Sequence, residues 1–136
     1  MQILQRGDIV RFKRRDALCV GIMSGLSLLC DIMPATENIW HRADLLLSML
    51  ECANAGLRPD VRIRCWPRFG LMRGNVSGRA PNALLIAVDG RVQREAMLRQ
   101  FENSFGADIL NDVARIAILL SLTVGSRELG FGQRHG

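Results

Sequence analysis

Asp8-Ile9-Val10-Arg11-Phe12-Lys13, Ala17-Leu18-Cys19-Val20-Gly21-Ile22 and Leu26-Ser27-Leu28-Leu29-Cys30-Asp31-Ile32-Met33 are three apolar runs set close together in the chain, and their reading decides the fold. The first partly alternates apolar and polar residues, as a half-buried strand does. Ser24-Gly25 separates the second run from the third and has the chemistry of a tight hairpin turn. Pro34 follows the third run; it has no N–H to give to a ladder, so a strand should stop there. Strands joined this tightly form an antiparallel meander.

Further along, the period changes. Leu46, Met49, Leu50 and Ala53 recur at helical spacing, and Gly56 follows as a left-handed terminator, which predicts a short helix within 42–55. Residues 61–66 alternate again, with Arg62 and Arg64 on one face, and Pro67 closes that strand. The stretch 68–82 holds Gly70, Gly74, Gly78, Asn75 and Pro81 and reads as an exposed loop. Ala83-Leu84-Leu85-Ile86-Ala87-Val88 reads as a buried strand ending at Asp89-Gly90. Residues 92–105 fit an amphipathic helix with Leu98, Phe101 and Phe105 on one side. Residues 107–122 fit a more apolar one with Asp108 near its start, and residues 127–136 a flexible tail. Strands first and helices after predict an α+β fold, with one domain over residues 1–126.

Composition narrows the function. A chain of 136 residues, nearly half of them apolar, can hold a core without disulfide or metal. No stretch reaches the ~20 apolar residues that span a bilayer, and the first residues hold no apolar run of leader length, so the expected location is the cytoplasm. Cys19, Cys30, Cys52 and Cys65 include no Cys-x-x-Cys pair and none adjoins a histidine; they read as small buried residues, with no metal site expected. The formal charge is +5, and every basic residue except Lys13 is an arginine. Arginine's planar fork suits phosphate, so a polyanionic partner fits. There is no phosphate-binding Gly-x-x-x-x-Gly-Lys loop, no dinucleotide fingerprint and no Gly-x-Ser-x-Gly elbow. With His41 read as an exposed loop residue and His135 near the end, a histidine-centred catalyst is poorly supplied.

The order of pieces at the front carries a resemblance. Arg6-Gly7-Asp8-Ile9-Val10 is followed by Arg14-Arg15-Asp16-Ala17-Leu18-Cys19-Val20, and the third run ends in Pro34-Ala35-Thr36-Glu37-Asn38. This order resembles the MazF/PemK (Kid-like) toxins of type II toxin–antitoxin systems. Those proteins open with Arg-Gly-Asp/Glu-Ile-Val/Trp, continue with Arg-Pro-Ala-Leu-Val and end a strand in Pro-x-Thr. Ala55-Gly56-Leu57-Arg58-Pro59-Asp60-Val61 and Arg64-Cys65 are similar to later segments of that family, while residues 76–106 look like an addition.

The resemblance implies an SH3-like antiparallel β-barrel with a short helix and C-terminal helices. It implies a homodimer, neutralised by an antitoxin protein, that cleaves single-stranded RNA with neither metal nor cofactor. The ribose 2′-OH attacks the adjacent phosphorus and leaves 2′,3′-cyclic phosphate and 5′-OH ends. Such chemistry needs a cation at the phosphate, an acceptor for the 2′-OH proton and help for the leaving oxygen. By the resemblance, Arg15 and Thr36 take the central catalytic roles and Arg64 supplies a second cation, with Arg14, Arg62, Trp66, Arg68, Arg73 and Arg79 as RNA contacts. Read without the family, Arg14 and Arg15 are solvated charges at a turn, Thr36 caps a turn, and Arg62 and Arg64 are the wet face of an edge strand. Several departures bear on activity; the loop between the first two strands, which helps hold RNA in that family, is very short, and the second-to-third connection is shortened too. Asp16 replaces the family's proline and could pair with Arg15, and Trp66 stands where the PemK branch has an aspartate. The rival functions are a non-catalytic barrel that binds RNA, and one that poisons a protein such as DNA gyrase, as the related CcdB toxins do.

Overall fold

A two-residue strand, β1 (Gln2–Ile3), precedes the meander of β2 (Asp8–Phe12), β3 (Arg15–Met23) and β4 (Leu26–Pro34) in the computed structural model, which describes residues 1–37 and 39–105. β2 pairs with β3, and β3 with β4, all antiparallel. Ser24 (φ 54°) and Gly25 (φ 77°) both turn left-handed, as a two-residue turn matched to strand twist requires. Side chains alternate across the sheet. Ile9, Leu18 and Cys30 point into one core; Val10, Ala17, Cys19 and Leu29 point into a second, on the opposite face.

The helix predicted within 42–55 is shorter than expected, and a strand precedes it. Asp44–Leu46 forms β5, and only Met49–Ala55 forms helix α1. Ser48 sets the boundary: its hydroxyl accepts from the Glu51 amide (3.1 Å), and the Glu51 carboxylate accepts from the Ser48 amide (2.8 Å). This reciprocal box satisfies two otherwise orphan donors at the helix start. Gly56 closes the helix at φ 72°. The face inferred from Leu46, Met49, Leu50 and Ala53 turns to solvent, while Leu47, Cys52 and Ala55 enter the core.

β6 (Val61–Arg64) and β7 (Arg68–Gly70) run along the same edge of β4, with the break at Pro67. The predicted loop 68–82 is therefore corrected. It contains β7 and also β8 (Arg73–Arg79), which pairs with both β1 and β2. Its glycines permit close packing. A Cβ on Gly70 would lie 2.5 Å from a Leu29 methyl, one on Gly74 2.7 Å from Val10, and one on Gly78 2.8 Å from the Ala55 carbonyl oxygen.

The predicted strand at 83–88 is also corrected. Residues Asn82–Phe105 form one helix, α2, of 24 residues. Its first turn follows Pro81, whose carbonyl accepts from the Leu84 and Leu85 amides. Leu84, Leu85 and Val88 pack on the same core as Ile9, Leu18 and Ile63. An apolar run this short fits helix or strand equally by periodicity, and the packing decides. Arg6 forks onto Asp89 of α2 (2.7 and 3.1 Å), tying the start of the meander to this helix.

The result is an α+β fold, with an open antiparallel sheet in the order β1-β8-β2-β3-β4-β6-β5, β7 beside β4, and two helices among the described residues. No described helix is long and apolar enough to cross a membrane. The helix expected at 107–122, Asp108, the tail 127–136 and His135 lie outside the described residues.

Candidate functional site

Beyond Pro34 the chain makes a turn in which the Glu37 amide donates to the Pro34 carbonyl (3.2 Å), while the Ala35 amide donates to Asp60 (2.8 Å). Beneath this turn lies Arg62, fully enclosed. Its Nε donates to Asp44 (2.8 Å), and its terminal nitrogens donate to the carbonyls of Pro34, Ala35, Glu37 and Ile39 at 2.5–3.3 Å. Trp40 stacks on the guanidinium at 4.2 Å. Arg62 is thus the internal post around which residues 34–37 and 39–40 gather, and the RNA contact expected of it is corrected, because no part of it reaches the surface.

Arg64 stands one pleat further along β6 on the same face. It donates to both oxygens of Asp44 (2.7 and 3.0 Å) and to the Ile39 carbonyl (3.4 Å). Burial would raise the Asp44 carboxyl. The hydrogen bonds from Arg64, the His41 amide and Arg62 outweigh it and hold that carboxyl below the usual carboxylate value. The Arg64 guanidinium is pushed up in turn, chiefly by its bond to Asp44. Asp44 is therefore a fixed anion that balances two arginines, and it has no proton to exchange near neutral pH. β6 is an internal strand, so a wet edge face does not describe Arg62 and Arg64.

Arg15 begins β3 and is open to solvent. Its nearest carboxylate is not Asp16, which pairs with Arg11 (3.0 Å), but Glu37, at 3.6 Å. The feared competition from Asp16 is absent, and an unforeseen neighbour stands in its place. Thr36, also exposed, immediately precedes Glu37. Arg68 pairs with Asp31 (3.0 Å) and lies 5.7 Å above the ring of Phe12, the residue opposite Arg15 in the β2–β3 ladder. Arg15, the Thr36–Glu37 turn, Arg64 and Arg68 therefore share one face of the sheet; Glu37 meets Arg15, and the Ile39 carbonyl meets Arg64.

The other expected contacts lie apart from this group. Arg14 is exposed at the β2–β3 turn. Arg73 is on β8 next to Ile3, and Arg79 bonds Asp8 and the Arg6 carbonyl, locking β8 to β2. Trp66 carries Arg99 of α2 at 4.2 Å over its ring, so that face is closed to a base. His41 is half-buried, its Nδ1 accepting from the Ala43 amide (2.9 Å).

A second ionic cluster braces the same loop. Arg42 forks onto Glu95 (2.8 and 3.1 Å) and onto Glu102 (2.6 and 2.9 Å), both on α2, and Arg99 adds a bond to Glu95 (2.6 Å). These bonds, Arg42's first, hold the Glu95 carboxyl below its ordinary value. All four cysteines are free and buried. Burial pushes the Cys65 thiol up to about 12 and that of Cys30 higher still, so neither is a nucleophile at neutral pH. No grouping of histidine, cysteine and acidic side chains suited to a metal ion occurs among the described residues.

Sequence reasoning missed Glu37 and Asp44. Glu37 lay inside the quoted Pro34–Asn38 segment and passed unused; Asp44 carried no local signal, because its partners come from β6. No family model matches the chain, and no curated protein matches it.

Proposed function

We propose that this protein is a metal-independent endoribonuclease toxin of the MazF/PemK type, built on an SH3-like barrel. The observation that carries the reading is the meeting of Arg15 with Glu37, on a turn pinned from below by Arg62. A phosphate-binding cation and a carboxylate 3.6 Å apart are two of the three groups that 2′-OH attack requires. Arg15 holds a non-bridging oxygen and stabilises the extra charge of the transition state. Glu37 takes the 2′-OH proton as the O2′–P bond forms. The P–O5′ bond breaks, and the departing oxygen takes its proton from water. Thr36 donates its hydroxyl to a second non-bridging oxygen, and Arg64 and Arg68 attract the flanking strand. An exposed ion pair is worth little, so Arg15 leaves Glu37 for a phosphate at small cost. In this reading the protein works as a cytoplasmic homodimer held silent by an antitoxin.

A second reading is a barrel that binds RNA without cutting it. It is favoured by the commitment of Arg64 to Asp44 and by the covered ring of Trp66. Gyrase poisoning through residues 127–136 ranks below both.

The deciding experiment incubates the protein with mixed-sequence single-stranded RNA in EDTA. Arg15→Ala and Glu37→Gln run beside the parent. Fragments with 5′-OH and 2′,3′-cyclic phosphate ends are expected from the parent, with the rate reduced by about 10²–10⁴ in Glu37→Gln and abolished in Arg15→Ala. Intact RNA with the parent, while a labelled strand still binds, moves the assignment to the second reading. Cutting by both variants at the parent's rate refutes the site.

A further inference from the structure

A hollow of about 110 Å³ opens on the opposite side of the sheet rim from Arg15, where the β2–β3 turn meets the segment between α1 and β6. Its lining includes the apolar Ile32 and Val61, the cations Arg11, Lys13, Arg14 and Arg58, and one carboxylate, Asp16, which Arg11 engages at 3.0 Å. The volume is several times the ~10–15 Å³ that admits one water, enough for a phosphate group. Most arginines of the described region end on a carboxylate, Arg11 on Asp16 among them. Lys13, Arg14 and Arg58 form no ion pair with any described residue. With Asp16 taken up by Arg11, three further cations that have no counter-charge among the described residues converge, from two separate segments, beside apolar Ile32 and Val61, which strengthen their field. Lys13 also holds φ 48°, a left-handed conformation that disfavours any residue with a Cβ. The chain keeps a lysine where glycine would be easier.

The hollow adjoins the Arg15 site through two junctions. Arg14 lines the hollow and Arg15, the next residue, turns to the other face; Pro34 lines the hollow and Thr36 stands two residues on, in the site. A single polyanionic strand crossing this rim meets both.

We propose that the hollow is a second phosphate subsite, centred on Arg58, for the same single-stranded RNA. Its ligand rests on the reading above, but its existence can be tested without cleavage. The probe is a 2′-O-methyl oligonucleotide, which has no attacking hydroxyl, and its affinity is followed by fluorescence anisotropy across a salt series. Arg58 is exposed and makes no described bond, so Arg58→Ala should fold as the parent does. Arg94→Ala removes an exposed arginine of α2 that likewise pairs with no described residue, and serves as the control. Arg58→Ala should weaken binding alike for all sequences and lower the slope of log K against log salt by about 0.7, the loss of one phosphate contact. Arg94→Ala should match the parent. If the parent cuts RNA, Arg58→Ala should raise KM and leave kcat unchanged.

Parent-like affinity and slope in Arg58→Ala overturn the subsite, as does an equal loss in Arg94→Ala, which marks diffuse attraction. Inorganic phosphate titrated alone separates a free-anion site. If phosphate binding needs Arg58 while oligonucleotide binding does not, the RNA assignment is overturned. If the parent never cuts RNA yet Arg58→Ala lowers oligonucleotide affinity and slope, the ribonuclease reading fails and the subsite stands.

Discussion

Replacing Arg62 by alanine removes the one side chain that both neutralises a buried carboxylate and ties four carbonyls of residues 34–39 together. Breaking a buried ion pair by deleting one partner costs about 3–5 kcal/mol. Two considerations place Arg62→Ala within that range rather than above it. Arg64 remains on Asp44 with two bonds, so the carboxylate keeps one counter-charge. The freed carbonyls can reach water once the turn opens, which spares most of the penalty for leaving them unpaired. Against this, the Trp40 stack is lost as well. The expected loss is about 3–5 kcal/mol, read by urea denaturation with linear extrapolation. For a chain of this length that is roughly 10–20 °C in Tm. Arg62→Lys should fall between the two proteins, since an ammonium keeps the charge but not the planar fork. In a double-mutant cycle with Asp44→Asn, the coupling should exceed about 1.5 kcal/mol. A loss below about 1 kcal/mol for Arg62→Ala, or no coupling to Asp44, would refute the claim that this arginine is the post beneath the turn.

Two further predictions concern acid and packing. Asp44 and Glu95 both bind protons less readily when folded, so their contribution is complete above the ordinary carboxyl values of 3.8 and 4.5 and drains away as pH falls below them towards the folded values; denaturation midpoints between pH 6 and pH 3 should fall, and by less in Glu95→Gln than in the parent. Gly78→Ala should cost about 1–3 kcal/mol, because the new methyl meets the backbone oxygen of Ala55 at 2.8 Å, and backbone cannot turn aside as a side chain can; an unchanged denaturation midpoint would contradict the packing of β8 against α1.

The meander was legible because its signals are local: three apolar runs, a Ser24-Gly25 turn and a closing Pro34. Gly56 was legible for the same reason. The rest depended on partners distant in sequence. β8 looked like a loop because Gly70, Gly74 and Gly78 are usually breakers, and only the closeness of Leu29, Val10 and Ala55 shows why each lacks a side chain. Residues 83–88 looked like a strand because six apolar residues cannot reveal their period. Arg62 looked solvent-facing because alternation sorts arginine to the wet side, and its burial depends on Asp44, eighteen residues back. For the candidate site, Arg15, Thr36 and Arg64 do come to one face, while the Glu37 partnership appears only once the turn is folded around Arg62.

The place of β8 between β1 and β2 has a consequence for synthesis. The first two strands have no hydrogen-bonding route to each other; the segment that joins them ends at residue 79. At roughly 5–20 residues per second, a ribosome takes about 3–13 s to add the stretch from the end of β2 to the end of β8. During that interval the meander can form, but the outer rim of β2 waits with open N–H and C=O groups, a template for any passing strand. Asp8 and Arg11 on that strand place charge of both signs along the waiting rim. The nascent chain is thus most vulnerable to mispairing before its eighth strand emerges, and a pause in translation upstream of residue 73 would lengthen the exposure.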